Sequence, residues 1–303
     1  MPWKRPKLEQ HAVVSHKASE TTPFVWNERL YTLENFQRFM DFPGKPPVFR
    51  FHEDGCYIRD VETDTRLCCP WLNHYFSTIT VLPDNRLAII GGDYGWNQPW
   101  WHIRRMQLMT SDDLLTWSRP ITILEADPDE KLFNNALVFD GQRHVLLYET
   151  DDPSLGPKFT FRFAVSADLQ HWQKLPVEFS YGRGKYVGGP ALYFQDGYYY
   201  LLYLAETFGK PGFWDTRVAR SRDLANWQDA PDGRSVVYPD TARITNPALA
   251  PDVHEINASD LELVEFQGQT HLWWCGGNQN GVDDLQHAIF NGSRRQFLEA
   301  FFE

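Results

Sequence analysis

Carboxylates that stand where chain segments begin or end are the most reactive side chains in this sequence. Asp260 closes the polar stretch Asn257-Ala258-Ser259-Asp260 and leads straight into the apolar run 261–266. Glu20 opens Glu20-Thr21-Thr22-Pro23, while Glu34, Glu149 and Glu206 end β-rich runs. A polar residue at the entrance of a core strand suggests a cavity lining. Carboxylates crowded into one basin raise each other's pKa values, which separates a proton donor from a proton acceptor. Glycosidic cleavage uses that division of labour. Each acid alone also has a plainer reading, as a strand-end group that caps a loop or pairs with arginine.

Neutral polar and aromatic residues near these acids are candidates for binding. His74 precedes one β-rich run, His254-Glu255 and Asn257 precede another, and Asn134-Asn135 open a third. All could bind sugar hydroxyls, and His can also move a proton. The segment Gly91-Gly92-Asp93-Tyr94-Gly95-Trp96-Asn97-Gln98-Pro99-Trp100-Trp101-His102 reads as a mouth loop, which adds Asp93 and Trp96. Its three tryptophans either staple the loop down or stack on a ligand. The four cysteines, Cys56, Cys68, Cys69 and Cys275, form no C-x-x-C pair and no zinc spacing with His. Buried free thiols in a reducing cytoplasm are expected, with no metal site and no cofactor. Oxygen ligands in a central channel would suit a structural Ca2+, although no loop carries a calcium signature.

The elements that must position these groups show in the repeats. A β-rich run, a tight polar turn and a second β-rich run recur with turn markers at 28, 85, 141, 197 and 268, separated by 57, 56, 56 and 71 residues. Asp140-Gly141 and Asp196-Gly197 are strong hairpin turns. A second phrase keeps the same time: Ser111-Asp112-Asp113-Leu114-Leu115-Thr116-Trp117 returns at 166–172 and 221–227, its tryptophans 55 residues apart. A turn with a buried Trp at the outer edge of each unit would explain it. Units of this length hold four strands, so the expected fold is all-β, a single five-bladed β-propeller of four-stranded antiparallel blades. One domain spans 1–303, with 1–11 as a flexible N-terminal tail. Innermost strands of a propeller start at one mouth. Counting eight residues back from each marker gives a converging column of Glu20, Ser77, Phe133, Gly189 and Asp260. Second strands return to that mouth and add a ring with Glu34, Glu149 and Glu206.

The net charge of -11 repels phosphate backbones and anionic membranes, so neither nucleic acid nor membrane is an expected partner. No apolar run approaches the ~20 residues a bilayer requires, and the basic start 1–6 is followed by a polar stretch, not a signal core. A cytoplasmic location is expected.

Gly189-Pro190-Ala191-Leu192-Tyr193-Phe194-Gln195-Asp196-Gly197-Tyr198-Tyr199-Tyr200-Leu201 resembles a blade of glycoside hydrolase family 43. The Ser-x-Asp-Leu-x-x-Trp phrases are similar to those of the five-bladed families 32, 43, 62 and 68. The chain's ending, from Glu255-Ile256-Asn257 through Gly276-Gly277-Asn278-Gln279 to Gln296-Phe297-Leu298, resembles a divergent bacterial group of such propellers. The likeness covers nearly the whole chain and specifies scaffold more than chemistry. It implies a glycosidase acting on an oligosaccharide or glycoside, with a base in blade 1, a pKa-tuning Asp and a general acid Glu before Gly-Pro. Here Gly188 occupies the general-acid position, Glu20 stands where family 43 has Asp-Pro, and the Asn-Asp-Pro-Asn motif of families 32 and 68 is absent. The expected catalytic set is therefore Asp260, Glu20 and, as replacement acids, Glu206 and Glu149. The alternative is a carbohydrate-binding propeller without turnover.

Overall fold

A computed structural model describes residues 3–15, 20–36, 39–40, 51–52, 54–94, 102–156, 159–231, 233–278 and 281–303. Trp96, a ligand candidate from the sequence, lies outside the described residues. The described chain is all-β apart from 3-10 turns and one short helix, Arg294–Glu299. Among the described residues no helix is long and apolar enough to cross a membrane.

Strands assemble into four-stranded antiparallel sheets in chain order. The first contains Thr21–Trp26, Arg29–Phe36, Gly55–Asp60 and Thr65–Leu72. The second contains His74–Val81, Leu87–Asp93, Arg105–Ser111 and Ile121–Glu125, and the third Leu132–Phe139, His144–Thr150, Thr160–Ser166 and Gln173–Lys174. An eight-stranded sheet is two further groups of four, joined by a single parallel pairing of Trp214 with Asn257. The fourth group is Gly188–Gln195, Tyr198–Glu206, Trp214–Ser221 and Trp227–Asp229. The fifth is Asn257–Phe266, Gln269–Gly277, Asp283–Phe290 and, from the start of the chain, Glu9–Ser15. The stretch expected as a tail thus supplies an outer strand, and Trp3 Nε1 donates to the Ala300 carbonyl at 2.8 Å. Both chain ends are fastened to one sheet group.

Each innermost strand packs on the next, and Asn257–Phe266 returns to Thr21–Trp26, so the strands enclose an axial channel. The end at which these strands begin is the upper end. A period of two explains why the sheets are buried on both faces. In His144–Thr150 every residue is buried. Val145 and Leu147 pack with Leu192 and Leu201 of the fourth group, while Leu146 and Tyr148 pack with Ile90 and Leu108 of the second sheet. Truncating such a side chain, as in Leu146→Ala, costs about 2–5 kcal/mol.

The repeated Ser-x-Asp-Leu-x-x-Trp phrases form one turn three times. Ser111, Ser166 and Ser221 hydroxyls accept the N–H of Leu114, Leu169 and Leu224 at 2.9, 2.9 and 3.0 Å. Those leucines have φ of 71°, 65° and 66°, and their carbonyls accept the indole N–H of Trp117, Trp172 and Trp227. Serine and aspartate oxygens bonded to nearby backbone N–H groups stabilise such a turn. The tryptophans are half-buried, not buried as expected, because the indole N–H stays at the turn. All four cysteines are free; Cys56 and Cys275 are buried, whereas Cys69 is exposed against expectation.

Candidate active site

At the upper end, four of the innermost strands are irregular. Their registers shift between Tyr75 and Thr78, Leu132 and Asn135, Gly188 and Ala191, and Ser259 and Glu262. Two residues on the inner strand then oppose one on its partner, which re-aims the side chains there. Phe76, Gly189 and Asp260 have φ of 54°, 50° and 52° at these bulges. Asp260 is thereby held in a conformation that costs a non-glycine residue of order 1–3 kcal/mol, a cost concentrated at functional sites. Gly189 is required beside it: a Cβ there would lie 2.4 Å from Asp260 Oδ1.

Three sequence-predicted acids meet at this level. Ser259 donates its hydroxyl to Asp260 Oδ2 at 2.5 Å, and Asn257 Nδ2 donates to that Ser259 oxygen at 2.9 Å. Glu149 ends the second strand of the third sheet, and its Oε2 accepts from Asn134 Nδ2 at 3.2 Å and from the Gly189 N–H at 3.1 Å. Glu20 precedes the first innermost strand; its carbonyl accepts the Asn35 N–H, while its Oε2 is buried without a hydrogen-bond partner. Glu20, Ser77, Gly189 and Asp260 of the expected column line one cavity of about 20 Å3; Phe133 does not line it.

Burial dominates the electrostatics. It lifts Asp260 above the ordinary carboxylate range, and the Ser259 hydroxyl opposes that rise. Glu149 is pushed up to about 8, first by burial and then by Asp260, against the bonds from Asn134 and Gly189. Burial, then Asp260, Glu149 and Asp54, carries Glu20 well above its usual value. Asp283 rises to about 6 by burial and the charges of Asp260 and Asp284. Asp260 is thus the charge that its neighbours feel, and it alone of the three central acids has a hydroxyl donor. One anion beside protonated carboxyls is the arrangement acid–base chemistry needs.

Other predicted residues serve the scaffold or lie elsewhere. Glu206 is exposed and accepts the Gly212 N–H at 2.9 Å, away from the three acids. The reason is register: His144 pairs with Ser166 and Tyr199 with Ser221, so Glu149 corresponds to Leu204. The glycines that mark the turns are not equivalent, since Gly141 follows Phe139 by two residues and Gly197 follows Phe194 by three, although Phe139–His144 and Phe194–Tyr199 are matching pairs; an alignment made on them is displaced. His74 stacks on Trp71 at 4.0 Å, and its nitrogens bond to the Leu72 carbonyl and Gln107 Oε1. Asp93 pairs with Arg105 at 2.6 Å. His254 is exposed, with Nδ1 3.1 Å from the Thr241 carbonyl. Glu255 is buried in an ion pair with Arg243 and accepts from Gln286 at 2.9 Å. Asn135 borders the cavity but uses its amide to bond the Phe76 carbonyl and the Thr78 hydroxyl. Asn257 acts through Ser259 on Asp260. Glu34 is paired with Arg59 at 2.8 Å, the plainer reading given above. Among the described residues no group of three His, Cys, Asp or Glu is disposed to hold a metal ion.

Tyr186 is a residue that the sequence alone does not single out. Its phenol is raised by burial and then by Glu149 and Asp260, so it belongs to the same basin. Its ring lies edge-on to Trp214 at 4.8 Å and to Phe159 at 5.9 Å, and Phe159 meets Phe133 at 4.7 Å. An aromatic wall therefore flanks the acids. The available signal was Tyr186 standing two residues before the Gly188-Gly189-Pro190 phrase.

These sheets and their channel form the fold of the glycoside hydrolase propellers. No protein-family model and no curated protein matches the chain. Among solved structures, a protein in an RGII complex has a TM-score of 0.67 at 14% identity, over 96% of this chain and 94% of that one. The α-L-arabinofuranosidase of Podospora anserina in complex with cellotriose has 0.62 at 11%, over 95% and 94%. A family 43 glycoside hydrolase of Bacillus licheniformis has 0.60 at 15%, over 93% of this chain and 57% of that longer one.

Proposed function

We propose that the protein is a glycosidase built on one five-bladed propeller domain, with its site at the upper mouth of the channel. Asp260 acts as the base or nucleophile and Glu149 as the general acid, taking over from the position occupied by Gly188. Glu20 holds a proton beside them and keeps the basin acidic. The observation that carries this reading is the shared basin: Glu149 accepts the N–H of Gly189, which lies against Asp260, and burial with the Asp260 charge pushes Glu149 up to about 8. The names of the similar structures support a glycoside or oligosaccharide as substrate. A glycosyl ring would lie against Tyr186 and Trp214, since aromatic faces stack on sugars.

In this chemistry Glu149 protonates the departing glycosidic oxygen while Asp260 either attacks the anomeric carbon or deprotonates the attacking water. Screening nitrophenyl glycosides and plant or algal oligosaccharides tests the reading. Product must form with the native protein and be lost in both Glu149→Gln and Asp260→Asn. A second reading, sugar binding without turnover, is favoured by Gly188 standing where the resemblance puts the general acid. Saturable oligosaccharide binding with no product after long incubation would establish it instead.

A further inference from the structure

The lower end of the channel holds a guanidinium that the acid chemistry does not use. Between the lower halves of the innermost strands lies an open chamber of about 550 Å3. Cavities of that size accommodate small organic molecules. Its walls combine apolar side chains such as Phe24, Leu137 and Val264 with the channel-facing edges of strands. An edge strand leaves backbone amide groups to face a cavity.

Arg294 lines this chamber and is fixed in place. A capping box of Ser293 and Gln296 begins the helix there, and the Arg294 N–H donates to Glu265 Oε2 at 3.1 Å. Its guanidinium carbon lies 4.7 Å from the centre of the Tyr193 ring. Tyr193 is itself pinned: its hydroxyl donates to Glu262 Oε2 at 2.6 Å and accepts the Leu263 N–H at 2.7 Å. Burial, with the Asp260 charge, pushes Glu262 up to about 8, against the Tyr193 hydroxyl and the nearby Arg294 charge. Among the described residues no carboxylate forms an ion pair with this guanidinium, and its Nε is buried without a hydrogen-bond partner. A guanidinium without an ion-pair partner keeps donors for a ligand that supplies an acceptor.

We propose that the lower chamber is a second binding site, taking a small organic carboxylate whose head pairs with Arg294 and whose apolar body lies against Phe24, Leu137 and Val264. A planar guanidinium matches a carboxylate through two parallel N–H···O bonds. One cation in a chamber that the carboxyls of Glu262 and Glu265 also line suits a monoanion better than a phosphate dianion. The site needs no catalysis above it.

Benzoate titrated into the full chain, followed by saturation-transfer NMR, tests this directly. The expected result is saturable binding with a Kd of about 1 mM or tighter. Benzyl alcohol, of the same shape without the charge, and inorganic phosphate should each bind at least about tenfold more weakly, since 1.4 kcal/mol is a factor of ten. Arg294→Gln should lose benzoate by a similar factor with its melting temperature retained. No saturation by about 20 mM benzoate, equal binding of benzyl alcohol or phosphate, or undiminished binding in Arg294→Gln overturns the proposal. Should that variant not fold, the native protein's preference for benzoate over benzyl alcohol decides alone.

Discussion

The two ends of the axial channel are lined by the same innermost strands and yet have opposite characters. At the upper end, bulges turn Asp260 and its neighbours inward, Glu149 and Glu20 close in, and about 20 Å3 remains. At the lower end the strands are regular, the space opens to about 550 Å3, and the side chain left without a carboxylate partner among the described residues is Arg294. Crowding raises acid pKa values where room is scarce, while an arginine stays charged where room is ample. The difference teaches that a bulge, which sets Asp260 at a φ of 52°, is what brings that carboxyl beside Glu149 and Glu20.

Substitutions at the upper end should have the largest effects on turnover. Glu149→Gln and Asp260→Asn are each expected to lower kcat by about 10²–10⁴-fold, measured on whichever glycoside the native protein cleaves. Gly189→Ala comes next. Its new methyl would meet Asp260 Oδ1 at 2.4 Å on a backbone with φ of 50°, so Asp260 must move. A misplaced reacting group of this kind costs about 10²-fold or somewhat less. Glu206→Gln should leave kcat within about twofold, since surface changes away from a site are nearly neutral. A full loss of activity there would return that residue to the site and undo the register argument.

The smallest expected effect is on stability, and its sign follows from the upper acids. Glu149, with a folded pKa of about 8, binds its proton more tightly in the folded than in the unfolded chain. Its contribution is fully present below the unfolded carboxylate range and is lost as pH rises through about 8. Glu149→Gln should therefore melt higher than the native protein at pH 9, by up to about 8 °C, and close to it at pH 4. Thermal denaturation at the two pH values reads this directly.

Much of the scaffold is legible in the sequence, because turn chemistry is local. Ser166, Asp168, Leu169 and Trp172 are one another's partners within a few positions, so their recurrence announces the repeat. Asp260 and Glu20 meet at one mouth, as the column of strand entrances anticipates. Glu206 misleads because the turn glycines Gly141 and Gly197 occupy different places in hairpins of equal length, which shifts an alignment made on them. Tyr186 and Arg294 escape notice because their roles arise from residues far along the chain, such as Glu149 and Tyr193. His74, Glu255 and Asn257 are polar residues near the mouth whose hydrogen-bonding capacity is taken up inside the protein, a matter of packing that spacing does not reveal.

The central claim is that burial, reinforced by the Asp260 charge, holds the Glu149 proton in place. Carboxyl 13C NMR titration of Glu149, in the native protein and in Asp260→Asn, measures this without any substrate. A native Glu149 midpoint near 8 that falls when Asp260 is made neutral is the predicted result. A midpoint at the ordinary value of about 4.3, unmoved by the substitution, would mean that the two acids do not share a basin.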